Sequence, residues 1–204
     1  EDSAFGPARH PLDPSRSPGG SSGGSAVSVA AHMAYASIGT DTGGSVRIPA
    51  AACGLVGLKP SHDEVPTEGV VPLSRTMDHV GPLTRTVGDA AILNDVMRGA
   101  PPLSAAPPPV DPRGPAALRL GVPREYFLSL LDPEVLSSFE QACSRLRAAG
   151  VTVEDVAIPH ARDIAPVYLH IVLSEAAAYH AGLSASERSR VQERFIRDQV
   201  PVIA

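Results

Sequence analysis

Lysine is almost missing from this 204-residue chain: sixteen of its 17 basic residues are arginine, and Lys59 stands alone. Long apolar runs are missing too. No stretch approaches the roughly 18 consecutive apolar residues of a membrane-spanning helix, so a chain that is 43% hydrophobic and 19% charged reads as soluble and globular. Positive charge is scarce, and a formal net charge of −5 argues against a nucleic acid as direct partner, because phosphate neutralisation needs a basic patch. Cysteine is limited to Cys53 and Cys143. The pair forms no CxxC or metal-type spacing and is too little for a disulfide framework, which fits a cytoplasmic setting. The opening from Glu1 has neither a basic n-region nor an apolar h-region, and this polar, Pro-rich start reads as mid-protein.

What is there suits one domain, since about 100–200 residues can bury a working core. Residues 1–18 hold Pro7, Pro11, Pro14 and Pro18 and read as an irregular connection. A Gly/Ser loop at residues 19–25 then feeds a helix of small residues over 26–34. Residues 36–38 read as a short buried strand that leads into a second Gly-rich turn at 39–45. Apolar runs at 55–58 and 70–73 read as strands or extended segments. Thr86 and Asp89 resemble a capping box that opens a helix running to Gly99. Seven prolines in residues 100–116 mark a surface loop or linker. Beyond it, residues 118–122 read as a strand. Asp132 as N-cap and Pro133 at the first helical position start a helix whose apolar residues Val135, Leu136, Phe139, Ala142, Cys143 and Leu146 recur up to Gly150. A strand over 151–158 completes a βαβ unit in a mixed α/β sheet. Residues 163–181 and 184–198 read as two further helices.

The chemistry lies in the two glycine turns. A serine hydroxyl is a poor nucleophile near neutral pH, so acyl-transfer sites pair it with a base and with backbone N–H donors for the developing oxyanion. Thr42, Gly43, Gly44 and Ser45 can supply both nucleophile and donors, because glycines let successive amides converge with no Cβ in the way. The first turn, with Ser21, lies 24 residues earlier.

Residues 19–26 (GGSSGGSA), 39–49 (GTDTGGSVRIP) and 51–60 (AACGLVGLKP) resemble the signature of the amidase-signature family. The similarity continues through 69–73, 78–87 and 89–91 and returns at 120–123. Residues 61–65 (SHDEV) depart from it, where the family more often has a Thr-Tyr-Gly-Arg-Val type of segment. The resemblance implies an α/β fold, a mixed twisted sheet covered by helices, present here as an incomplete portion. This chain would supply the central part of a single domain: 1–99 as signature core, 100–116 as loop, and 117–204 as the βαβ and helical part. It further implies a Ser–Ser–Lys triad with Ser45 as nucleophile and Ser21, behind a cis Gly20–Ser21 peptide bond, as the bridging proton relay. Thr42, Gly43 and Gly44 would bind substrate and oxyanion, and Asp41 and Arg47 would brace the turn. The family's lysine lies upstream of the Gly/Ser loop, and Lys59, matching the later GLKP segment, is taken as structural. The portions before and after this chain are therefore expected to be missing, and the isolated chain to be nearly inactive.

The reaction expected is hydrolysis of a carboxylic acid amide, with no metal and no organic cofactor. Two other readings stay open. A glutamine amidotransferase subunit of the same family would release ammonia for a partner enzyme, and a non-catalytic module would hold an anion at the Gly/Ser loop. As partners the sequence suggests a small-molecule amide, no direct nucleic acid and no membrane, with a homodimer or amidotransferase partner subunits both open. His62, Asp63 and Glu64 read as a solvated loop rather than metal ligands, and Glu175 as part of an exposed helix face, with a place facing a pocket as the alternative.

Overall fold

The computed structural model describes residues 6–100, 114–182 and 184. The chain divides into two compact units, Glu1–Ala106 with His170–Ala204, and Pro107–Leu169. The expected helix over 184–198 lies almost wholly outside the described residues.

The first unit is built on a three-stranded antiparallel sheet in the order β1-β3-β2, formed by β1 (Ala36–Asp41), β2 (Val56–Gly57) and β3 (His79–Thr84). In the β1–β3 register Gly39 faces Gly81 and Asp41 faces His79. The central strand is the most buried, from Val80 to Thr84. Three helices accompany the sheet: α1 (Gly23–Ala30), α2 (Arg47–Ala52) and α3 (Val87–Met97). The small side chains of α1 let it pack closely, so that Ala26, with Val46, Ala50 and Leu83, forms a core onto which Cys53 and Leu55 fold. One limb of the expected capping box forms at the start of α3: Thr86 Oγ1 accepts the Asp89 amide at 3.1 Å, while the Asp89 carboxylate accepts the Thr86 hydroxyl at 2.6 Å in place of the Thr86 amide.

The second unit carries the βαβ element. Strands β4 (Arg119–Val122) and β5 (Thr152–Asp155) pair in parallel across α4 (Pro133–Ala148). Asp132 caps α4 by accepting the Glu134 amide at 2.9 Å, and Gly150 turns the chain out at φ +92°. Of the expected apolar face, Cys143 is buried, Leu136, Phe139 and Ala142 are half-buried, and Val135 and Leu146 are exposed. Arg124 ties this unit together by ion pairs to Glu140 and Asp155. Helix α5 (Ile164–Ala181) follows, its residues from His170 onward belonging to the first unit.

The fold is therefore α/β as expected, with its antiparallel strands in one unit and its parallel pair in the other. Residues 70–73 are irregular rather than a strand, and β3, which the sequence did not reveal, takes the central place. Among the described residues no helix is long and apolar enough to cross a membrane.

Candidate active site

The turn that bears Ser45 is wrapped around a buried carboxylate. Strand β1 ends at Asp41, whose side chain is fully buried. Asp41 accepts the amides of Gly44 at 2.7 Å, Val46 at 3.2 Å and Arg47 at 3.3 Å. It also accepts Arg47 Nε at 3.0 Å and Nη2 at 2.9 Å. Burial alone would raise the Asp41 pKa, but the Arg47 side chain, the Val46 amide and the positive charge outweigh it and hold the group below the usual carboxylate range. The same bonds raise Arg47 further. Gly44 stands at φ +133°, a conformation that L side chains rarely adopt, and a Cβ there would also displace the end of the Ile48 side chain, so a substitution would be strained.

The two glycine turns meet through a carbonyl that α2 leaves unused. In α2 the Ile48 amide bonds Gly44 O at 2.7 Å and the Ala50 amide bonds Val46 O at 3.2 Å. The residue between them is Pro49, which has no N–H to give to Ser45 O. That carbonyl instead accepts the Ser22 amide at 3.2 Å, so Ser21 lies next in chain to the residue bonded to Ser45. The Gly20–Ser21 peptide bond is cis, as the resemblance implies. The Ser22 hydroxyl donates to Thr40 O at 3.3 Å rather than capping α1. It fits there because Gly39 has no side chain: a Cβ at 39 would come within 2.5 Å of Ser22 Oγ. Sequence reading missed Ser22 as the contact residue. A proline four residues after the candidate nucleophile was the available signal.

Ser21 is exposed and Ser45 half-buried, and among the described residues neither hydroxyl is engaged in a hydrogen bond. Of the expected oxyanion donors, the Gly44 amide is turned to Asp41, which leaves the amides of Thr42, Gly43 and Ser45 unengaged among the described residues. Thr42 is fixed from its other side, where its hydroxyl donates to Asp78 Oδ1 at 2.5 Å. Lys59 lies away from this group in its hydrogen bonding, its Nζ donating to Pro60 O at 2.6 Å. His62 and Asp63 are exposed, and Glu64 accepts the Ser61 amide at 3.0 Å and pairs with Arg98. A cavity of about 410 Å³ opens beside Asp78, lined also by Thr67, Glu68, Val70, Pro72, Arg75 and Tyr179.

The chain has relatives among known proteins. The sequence model of the family described as Amidase matches residues 1–201. A glutamyl-tRNA(Gln) amidotransferase subunit of Acidobacterium capsulatum is 45% identical over 186 residues, covering 87% of this chain and 39% of that protein. Among solved structures, a crystal structure of an amidase superposes with a TM-score of 0.78 at 40% identity, covering 96% of this chain and 45% of the other. The corresponding glutamyl-tRNA(Gln) amidotransferase subunit from Thermotoga maritima also gives 0.78, at 37% identity and 97% and 45% coverage. The chain thus spans less than half the length of the relatives it matches.

Proposed function

This chain belongs to the amidase family, and on that premise we propose that it supplies the nucleophile and oxyanion turn of an enzyme acting on carboxamide C–N bonds. The observation that carries the proposal is the open Ser45 hydroxyl in a turn held by Asp41 and joined through the Ser22 amide to the Ser21 segment.

Ser45 Oγ attacks the amide carbonyl while its proton passes to Ser21 Oγ, which gives up its own proton to the base. The amides of Gly43 and Ser45 hold the oxyanion, with Thr42 and Gly44 shaping the turn and Arg47 keeping Asp41 charged beneath it. Collapse of the tetrahedral species breaks the C–N bond, and Ser21 returns the proton to the departing ammonia or amine. Water then attacks the ester carbonyl, and the acid leaves as the Ser45 proton is restored. This sequence calls for a lysine as final base. A free lysine titrates near ~10.4 and works as a base at neutral pH only when desolvated or near other positive charge. Lys59 is bound to Pro60 O, so the base is assigned to a segment outside these residues. These 204 residues would then form the central part of one amidase-signature domain, acting on a small-molecule amide in the cytoplasm, where both cysteines remain free.

A second reading within the same chemistry is favoured by the 45% identity to an amidotransferase component: the amide would be that of glutamine, and the ammonia would pass to partner subunits. Ammonia release from glutamine, compared with release from simple carboxamides, separates the two.

Hydroxylamine intercepts an acyl-enzyme as a hydroxamate. In the intact protein that contains this chain, an amide plus hydroxylamine should give hydroxamate, and Ser45→Ala should cut its formation by at least ~10³-fold. Undiminished turnover in Ser45→Ala would overturn the assignment. The 204-residue chain alone should form little hydroxamate in the same assay.

A further inference from the structure

Helix α5 reaches the nucleophile turn by an unbroken line of hydrogen bonds. Glu175 accepts from three donors of one irregular segment: the Ser74 hydroxyl at 2.6 Å, the Thr76 hydroxyl at 2.7 Å and the Thr76 amide at 3.1 Å. That segment is closed on itself by Asp78, whose Oδ2 accepts the amides of Leu73 at 2.8 Å and Ser74 at 3.0 Å. The other oxygen of Asp78 accepts the Thr42 hydroxyl. Thr42 carries the one side chain of residues 42–45 that, among the described residues, is bonded outside the turn. Gly43 and Gly44 have no side chains with which to hold themselves. Ser74 is 1% exposed, so its hydroxyl depends on the Glu175 carboxylate rather than on water.

We infer that Glu175 is a positioning residue for the Ser45 turn, acting through Ser74, Thr76 and Asp78 on Thr42. The inference rests on the reading of Ser45 as nucleophile and extends it to a helix more than a hundred residues later in the chain. A carboxylate suits the place because it only accepts, and all three of its partners donate. The bonds from Ser74 and Thr76 also hold Glu175 below the usual carboxylate range, so it stays charged at neutral pH. A glutamine would turn an NH₂ group toward a donor and release one side of the segment. Small displacements at a nucleophile are costly in rate, since reacting atoms must be held near attack geometry.

The test is a double-mutant cycle in the intact protein. Glu175→Gln should lower kcat and the rate of Ser45 labelling by a fluorophosphonate by roughly tenfold, with KM changed less than about twofold. Thr42→Val, which cuts the line at its far end, should cost a comparable factor, and Glu175→Gln in that background should cost less than about twofold more. Thr76→Val keeps the carboxylate and removes one donor, and it should give a smaller loss in the same direction, which keeps the test open if Glu175→Gln folds poorly. Independent, multiplicative losses, or a fall in melting temperature with kcat untouched, would assign Glu175 to stability alone and overturn the inference. Hydrogen exchange of the amides of residues 43–46 separates this outcome from failure of the nucleophile reading. If wild-type Ser45 takes no label, faster exchange in Glu175→Gln still supports the positioning role, and unchanged exchange refutes it.

Discussion

At the scale of single residues, the site depends on Asp41 more than on either serine for its shape. One buried carboxylate collects three amides and a guanidinium within six residues of itself, and this stands in for the side-chain packing that Gly43 and Gly44 lack. Asp41→Asn keeps the size but puts two N–H donors against donors. It should cost about 3 kcal/mol in urea unfolding, toward the low end for breaking a buried pair because the Arg47 side chain is 51% exposed. The pH dependence follows from the same bonds. Asp41 and Glu175 both titrate below their unfolded values in the fold, so their stabilisation is complete above about pH 4 to 5 and is lost as pH falls through the folded values. The urea midpoint should hold steady from about pH 7 to 5 and fall below about 4. As candidates, Ser21, Ser45, Asp41 and Arg47 were legible in the sequence through the resemblance of residues 19–26 and 39–49 to the family's signature. Glu175 was only half legible: the sequence left it between a pocket and an exposed helix face, and nothing local tells that Ser74 and Thr76 will fold onto it.

At the scale of elements, the least regular helix matters most. The sequence RIPAAA of α2 gives little helical signal, yet its proline sits within the first turn, where amides have no intrahelical partner. The effect of Pro49 is on the carbonyl that it leaves free, and Ser22 takes that carbonyl. Pro49→Ala should restore a competing amide and slow Ser45 labelling by a few-fold, roughly two to five, with little change in melting temperature. Equal labelling rates in the two proteins would mean that the Ser22 bond does not set the geometry. Strand β3 escaped the sequence for a related reason. Gly81 and Pro82 interrupt its alternation, and proline ordinarily demotes a run to an edge, whereas here the two-residue β2 leaves that side of β3 lightly paired. By contrast, Asp132 with Pro133, Thr86 with Asp89, and Gly150 were readable because capping is local chemistry.

At the scale of the molecule, family, fold class and the βαβ element could be read from residue pattern and resemblance. The division of the chain into units, with α5 shared between them in sequence, could not, because it depends on contacts between residues about a hundred positions apart. The acyl-transfer account joins these scales at one atom, Ser45 Oγ, and it can be tested there. The intact protein treated with a fluorophosphonate and mapped by mass spectrometry should carry one adduct, on the peptide containing Ser45, formed more slowly in Ser21→Ala and absent in Ser45→Ala. An adduct on another serine, or labelling that survives Ser45→Ala, would contradict the account.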